Sequence, residues 1–201
     1  YIRQNRHPPL PADGQRAKLP RLDKRHGGRD RAGEVVFNTS HSGYEEMATD
    51  PSYYNQILVS TFPQAGNYGV HNDVWESSQL RIEGFVCLEM QDSLRDKTWL
   101  QRLTDFDIAV MSGIDTRSLV LTLREKGTPW GAMVFATSKE AAVKEATALI
   151  DAKRNHDLDW AFAVSTKKPT TVLGSGRDGR VALLDFGCKA NIVRELQRRV
   201  K

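Results

Sequence analysis

The distribution of apolar residues along the chain predicts a mixed α/β fold. From residue 34 onwards, short runs rich in β-branched and aromatic side chains are separated by Gly, Asn and Pro turns, as strands are. Five such runs occur, at 34–38, 57–61, 83–89, 108–111 and 132–136. Helical patterns alternate with these runs in the second half of the chain, so we expect helices that pack against a sheet.

Two helices are predicted from their end signals and from the spacing of their apolar residues. Asp115 is a good N-cap, and apolar residues recur at helical spacing until Gly127 ends the helix. A second helix is predicted from 139 to about 153, with an apolar stripe on one side and Lys and Glu on the other. The stripe consists of Ala142, Val143, Ala146, Leu149 and Ile150.

A second unit is predicted near the C-terminus. Residues 165–179 are polar and contain Pro169 and three glycines, which is typical of a linker. In the unit at 180–201, a nearly continuous apolar run at 181–187 is typical of a buried parallel strand, and a helical pattern follows. Exposed apolar side chains forgo about 1.5–3 kcal/mol each relative to burial. We therefore expect this strand and helix to be poorly ordered unless they lean on the first domain.

Residues 1–32 differ in composition from the rest of the chain. They contain four of the eight prolines and show no apolar periodicity, so a disordered basic head is predicted there. Residues 1–31 hold nine Lys and Arg against three Asp, whereas the remainder holds 20 basic and 22 acidic residues. The net charge of +4 therefore comes from the head. The folded part is predicted to offer no basic face to nucleic acid.

Length and composition limit the class of protein further. A chain of 201 residues with 39% hydrophobic content can bury the core of one domain and part of another. No apolar run approaches the roughly 20 residues of a membrane-spanning helix, so a soluble protein without a membrane partner is predicted. The two cysteines, Cys87 and Cys188, form no paired motif, which fits a reducing cytosol.

One turn could present a side chain to a polar ligand. After a short helical turn that follows Gly43, Asp50 can accept hydrogen bonds from downstream amides while Pro51 fixes φ. Such a turn presents the Ser52 hydroxyl outward. The pattern alone leaves open whether Ser52 contacts a ligand or only completes the turn.

The loop at 63–69 leaves a similar choice open. Gly66 and Gly69 permit a close backbone approach, and Asn67 tolerates unusual dihedral angles. The loop could therefore cradle a polar ligand or merely turn the chain. His71, which follows it, is interpreted as a polar surface residue and not as a base.

Neither cysteine is a strong candidate for a nucleophile. Cys87 lies in a predicted strand, where cysteine behaves as a small inert hydrophobe. Cys188 is the more tempting candidate, because it follows Gly187 at a strand-to-helix junction and a helix N-terminus can lower a thiol pKa. However, the last histidine of the chain is His156, which leaves no base nearby in sequence.

Two further patterns carry no site. The five histidines show no metal-ligand spacing, so no metal site is predicted. The Gly-x-Gly-x-x-Gly pattern at 174–179 precedes a predicted strand, whereas a dinucleotide fingerprint follows a strand and opens a helix. The chain is therefore predicted to hold no cofactor of its own.

Several motifs together resemble a known family. The first three read GEVVFNT at 33–39, GYEEMATDPSY at 43–53 and PQAGNYG at 63–69. They are followed in the same order by ESS at 76–78, GFV at 84–86, GIDTR at 113–117 and LREKG at 123–127. In order and spacing these segments resemble the N-terminal domain of the small subunit of glutamine-hydrolysing carbamoyl-phosphate synthase. The segment DFGCKANI at 185–192 resembles the entry into that subunit's class I glutamine amidotransferase domain.

The resemblance implies a fold and a domain division. It implies an α/β protein with an N-terminal swivelling β/β/α-type domain at 33–164. After the linker at 165–179, the first βα unit of a class I glutamine amidotransferase domain follows at 180–201.

The resemblance also implies an activity and partners. The family's small subunit hydrolyses glutamine in the cytoplasm, and the ammonia passes to a large subunit, which uses ATP and magnesium to make carbamoyl phosphate for arginine and pyrimidine synthesis. The serine of the Asp-Pro-Ser-Tyr turn binds glutamine in the family, and that role carries over to Ser52. The catalytic Cys, His and Glu motifs lie downstream of the strand at 181–187, so no catalytic residue is assigned here and this chain alone is expected to be inactive.

Two alternatives to this interpretation remain. The chain could be a non-catalytic domain that docks on the synthetase large subunit, or it could belong to another class I amidotransferase, although those usually lack this N-terminal module. The head is also atypical, because Asp13 and Gly14 lack the flanking strands that begin family members. A shifted reading frame or an altered gene start is one hypothesis for residues 1–31.

Overall fold

The computed structural model describes residues 21–22, 30–91, 98–155, 159–176 and 179–200. The strands are β1 (Arg21–Leu22), β2 (Arg31–Asn38), β3 (Gln56–Ser60), β4 (Gln64–Ala65), β5 (Gly84–Val86), β6 (Glu89–Met90), β7 (Ala109–Ser112) and β8 (Trp130–Met133). The helices are α1 (Tyr44–Thr49), α2 (Trp99–Asp105), α3 (Thr116–Lys126), α4 (Lys139–Arg154), α5 (Trp160–Val164) and α6 (Ala190–Gln197). Two short 3-10 helices, Pro51–Tyr53 and Asn72–Val74, lie in the connections.

Six of the strands form one sheet in the order β1-β7-β5-β3-β2-β8. The four central strands are parallel, and β1 and β8 pair antiparallel at the two edges. Strands β4 and β6 pair separately as a small parallel sheet. A sheet with a parallel centre has both faces covered, which fits the expected α/β class.

Apolar side chains from alternate strand positions enter two cores. Leu58 and Phe85 belong to the core formed with α1 and α2, whereas Ile57, Val59 and Val86 face the core formed with α3. This alternation follows from the two-residue period of a strand. Helix α4 packs through Ala146 against the paired residues Ala32 and Ala132. Strands β3 and β5, at the centre of the sheet, are therefore buried on both faces.

The predicted helices are confirmed with their end signals. Asp115 accepts a hydrogen bond from the Ser118 amide at 3.0 Å, and this bond holds the pKa of the Asp115 carboxyl below its ordinary value. Gly127 ends α3 with φ of 79°. The stripe of α4 is confirmed only in its second half, because Leu149 and Ile150 pack on the sheet while Val143 is 41% exposed.

Two strand predictions are corrected by long-range pairing. The predicted strand at 83–89 is divided, because β5 pairs with β3 and β7 whereas β6 turns away to pair with β4. The predicted strand at 181–187 is absent. No neighbouring strand among the described residues supplies partners for its amides, and Leu184 and Phe186 are exposed. The helix predicted after it is confirmed as α6, which is hydrogen-bonded to the first domain.

The prediction of disorder across residues 1–32 is wrong where the structure describes that segment. Arg21–Leu22 pairs with β7, and Arg31 and Ala32 begin β2. The Asp30 carboxylate accepts a hydrogen bond from the Phe135 amide at 2.9 Å, which fixes the entry to β2. The rest of the head lies outside the described residues, so its predicted disorder stays a prediction.

Candidate functional site around the Ser52 turn

The turn that carries Ser52 is built as its sequence predicts. Helix α1 ends at Thr49 with Asp50 as its C-cap, and a 3-10 helix with Pro51 at its first position follows. Asp50 Oδ1 accepts a hydrogen bond from the Ser52 amide at 2.9 Å, and the Asp50 carbonyl accepts one from the Tyr53 amide at 3.1 Å. Ser52 itself is exposed. The predicted turn chemistry is confirmed, and Ser52 lies on the exposed side of the turn.

Contacts on both sides hold this turn in place. Asn38 Nδ2, at the end of β2, donates to the Tyr53 hydroxyl at 2.9 Å. On the other side, the Thr49 hydroxyl oxygen accepts from the Glu76 amide at 2.9 Å, and the Ser77 hydroxyl donates to the Thr49 carbonyl at 2.6 Å. Because the backbone before and after Ser52 is tied to neighbouring segments, its hydroxyl is presented from a preorganised turn.

The segment that precedes α6 lies directly against the turn. Lys189 Nζ is 2.6 Å from Asp50 Oδ2. The Asp50 side chain is only 5% exposed, whereas that of Lys189 is 48% exposed. The hydrogen bond and the negative charge of Asp50 raise the pKa of the Lys189 ammonium above its ordinary value. A largely buried carboxylate thus holds a half-exposed cation of the second unit.

Glu76 makes the second attachment of α6. Its carbonyl accepts from the Ala190 amide at 2.9 Å, and its Oε2 accepts from the Asn191 amide at 2.8 Å. These are first-turn amides that the helix itself leaves unpaired, and a negative charge is favourable beside them. Arg194 Nη2 also lies 3.5 Å from Glu76 Oε1, and Arg194 Nη1 donates to the Trp75 carbonyl at 3.3 Å.

Gly187 permits the close approach between the second unit and the turn. Its φ of 99° is a left-handed value that residues other than glycine rarely adopt. A Cβ at this position would lie 2.7 Å from Val164 Cγ2 and 3.3 Å from Pro51 Cβ. Asp185 Oδ1 accepts from the amides of Gly187 and Cys188 at 2.8 and 2.7 Å. This tight bend therefore sets the direction in which Lys189 meets Asp50.

Buried Glu45 supports the loop that carries Glu76. It is 1% exposed and accepts hydrogen bonds from the His71 amide at 2.6 Å and from Trp75 Nε1 at 3.0 Å. Burial raises the pKa of the Glu45 carboxyl above its ordinary value. The sequence analysis missed Glu45, since a glutamate in a short helix is ordinarily solvated. It also missed the contacts of Glu76 and Lys189, which join residues over 100 positions apart.

The 63–69 loop serves the fold in the part of the chain that the structure describes. A Cβ on Gly66 would meet the Gln91 carbonyl oxygen at 2.4 Å and Trp99 Cβ at 3.2 Å. The Tyr68 hydroxyl accepts from the Gly43 amide at 2.5 Å and so buttresses the start of α1. Of the two uses left open for this loop, close packing is the one that the geometry supports. His71 is exposed, as predicted.

The environment of each cysteine disfavours a thiolate. Cys87 is fully buried, and burial raises its pKa to about 12. The pKa of Cys188 is raised as well, first by burial and then by the nearby charges of Asp185 and Glu76. The helix N-terminus therefore does not activate Cys188 in the way that its position suggested. Both thiols are free.

The described residues contain neither a candidate metal cluster nor a candidate membrane span. No cluster of three or more His, Cys, Asp or Glu is placed there to hold a metal ion. No helix among these residues combines the length and the apolar character needed to cross a bilayer.

The fold defines the chain as an α/β protein, and comparison with known proteins supports this class. The family model described as carbamoyl-phosphate synthase small chain, CPSase domain, matches residues 20–133, more than half of the chain. The chain belongs to this family. The match begins inside the head that was predicted to be atypical of it, so the family domain starts earlier than residue 33.

Curated relatives extend the similarity across most of the chain. It is 42% identical to the carbamoyl phosphate synthase small chain of Symbiobacterium thermophilum, with 84% of this chain and 48% of the relative covered. It is 41% identical to that of Fusobacterium nucleatum (85% and 47% covered) and 37% identical to that of Methanocaldococcus jannaschii (83% and 47%). The chain therefore spans about half the length of the curated relatives it matches.

Proposed function

We propose that this chain is the N-terminal part of a small subunit that delivers ammonia from glutamine to a carbamoyl-phosphate synthase large subunit. In this proposal Ser52 contacts glutamine, while the reacting thiol belongs to the amidotransferase domain that the second unit opens. The large subunit uses ATP and magnesium to form carbamoyl phosphate for arginine and pyrimidine synthesis in the cytoplasm. The relatives are named as small chains of carbamoyl phosphate synthase, which supports the subunit role.

One observation supports the role of Ser52 most directly. Ser52 is exposed on a turn in which Asp50 pairs with Lys189 and Pro51 lies close to Gly187, both from the predicted second unit. An exposed hydroxyl beside a domain boundary can bind a polar amino acid, because ligand sites form preferentially where domains meet.

A hybrid small chain tests the proposal. Residues 20–200 of this chain replace the matching part of the small chain of Symbiobacterium thermophilum, which is assembled with its large subunit. Ser52→Ala is expected to raise the KM for glutamine about tenfold, as the loss of one substrate hydrogen bond does. Carbamoyl phosphate synthesis from free ammonia, which bypasses the glutamine site, is expected to stay unchanged.

Ser42→Ala is the matched control, because Ser42 is also an exposed loop serine but lies before α1. It is expected to leave both activities unchanged. An unaltered glutamine KM in Ser52→Ala would contradict the role of Ser52. Equal loss of the glutamine- and ammonia-dependent rates would instead indicate a defect of folding or assembly.

The 201-residue chain by itself is expected to release no ammonia from glutamine. The pKa values of Cys87 and Cys188 are both raised, which disfavours the thiolate that a thioester requires. A coupled glutamate dehydrogenase assay measures the ammonia. Ammonia release that disappears in Cys188→Ala would overturn this expectation and assign catalysis to the chain itself.

A further inference from the structure

The carboxylate of Asp50 joins the Ser52 turn to the second unit. Its Oδ1 accepts from the Ser52 amide at 2.9 Å, and its Oδ2 lies 2.6 Å from Lys189 Nζ. The residue is 3% exposed, so neither oxygen is freely solvated. The Asp50 carboxylate therefore contacts both the backbone of the Ser52 turn and Lys189, the residue that precedes α6.

We propose that Asp50 is a positioning residue for Ser52, and that Lys189 sets the orientation of its carboxylate. In this arrangement the position of the second unit on the first domain determines the orientation of the Ser52 turn, and with it that of the Ser52 hydroxyl. The inference rests on the proposed role of Ser52 in binding glutamine. It adds a coupling between the two units that the turn sequence alone does not contain.

Lys189 provides the charged partner of Asp50 Oδ2. A buried carboxylate needs a cation or donors at both oxygens, because leaving one of them unpaired is costly. Ser52 supplies a neutral amide donor to Oδ1, and Lys189 supplies the charge at Oδ2. If the ammonium is removed, the carboxylate is expected to rotate towards other donors or solvent, which weakens its hold on the Ser52 amide.

The approach of Lys189 is itself constrained on both sides. Before it, Gly187 approaches Pro51 so closely that a Cβ would crowd it, and after it the amides of Ala190 and Asn191 bond to Glu76. The ammonium is therefore brought to Asp50 by the docked backbone. This distinguishes the pair from an ordinary surface ion pair, which is held only by two flexible side chains and contributes little.

The Lys189→Gln variant of the hybrid small chain, assembled with the large subunit, tests this inference. It is expected to raise the KM for glutamine about threefold, a size typical of a half-exposed charged contact, with kcat from free ammonia unchanged. Asp50→Asn keeps an oxygen acceptor for the Ser52 amide but removes the charge, and a similar increase is expected. The double variant is expected to be no worse than either single variant, since both remove one interaction.

Arg198→Gln is the matched control. It removes an ion pair between Arg198 and Glu195 at the C-terminal end of α6. This pair does not join the two units. Its glutamine KM is expected to equal that of the parent hybrid. An unchanged KM in Lys189→Gln, or additive effects in the double variant, would overturn the inference.

The Ser52→Ala variant separates the two possible failures. If it raises the glutamine KM while Lys189→Gln does not, the proposed function stands and the positioning role of Asp50 is wrong. If it has no effect, the glutamine role of Ser52 fails and the positioning role fails with it.

Discussion

Replacing Trp99 with alanine is expected to lower the free energy of unfolding of the chain by about 3–5 kcal/mol, the usual cost of removing a buried tryptophan from a core. Trp99 is fully buried at the start of α2. Its ring lies 4.9 Å from that of Tyr44 and 5.7 Å from that of Phe85. The variant would leave a large cavity between α1, α2 and the sheet. Equilibrium unfolding in urea, followed by circular dichroism, measures the change.

Two variants distinguish lost packing from a general sensitivity to substitution. Trp99→Phe keeps most of the ring and removes an indole nitrogen that has no hydrogen-bond partner in the described structure, so a much smaller loss is expected. Phe162→Ala removes an aromatic side chain that is 66% exposed, and a change within about 0.5 kcal/mol is expected. Equal losses in Phe162→Ala and Trp99→Ala would contradict the core assignment.

Glu45→Ala is expected to lower the free energy of unfolding by about 1–3 kcal/mol, because it empties a fully buried position and removes the acceptor of two part-buried donors. Those donors are the His71 amide and the Trp75 indole. The control is Glu46→Ala, which removes a half-exposed glutamate at the next position of α1, and its expected loss is below about 1 kcal/mol. Urea unfolding at pH 7 compares them, and an equal loss in both variants would contradict the role assigned to Glu45.

The pH dependence of stability gives a second measure of Glu45. Since its pKa is raised in the folded state, the folded chain holds this proton up to a higher pH than the unfolded chain does. This group therefore lowers the free energy of unfolding as pH rises from the ordinary value of 4.5 through the raised folded value. Glu45→Gln has no such proton, so the difference in stability between parent and variant should vary with pH across that window. A constant difference would show that the carboxyl titrates normally.

Local chemistry determined those parts of the molecule that the sequence analysis predicted correctly. The ends of α3 follow from Asp115 and Gly127, because a cap bonds to amides of its own helix and a left-handed residue ends it locally. The turn at Asp50 and Ser52 is predictable for the same reason, since acceptor and donor are two residues apart. The motifs at 33–69 likewise identified the family before any fold was known.

Pairing between distant segments decided the rest. Residues 56–60 and 181–187 are similarly rich in apolar side chains, but only the first segment forms a strand. Among the described residues, only that segment has neighbouring strands to pair with. Sequence pattern does not tell which segments become neighbours, so the strand order and the division of 83–89 could not be predicted from it.

The candidate site divides in the same way. By itself, the sequence determined that Ser52 stands on an outward-facing turn, since Asp50 and Pro51 act locally on the backbone. Only the tertiary structure decided that Lys189 meets the other oxygen of Asp50 and that Glu76 bonds to the first amides of α6. These contacts join residues 139 and 115 positions apart, and such neighbours exist only once the sheet and its loops have folded together.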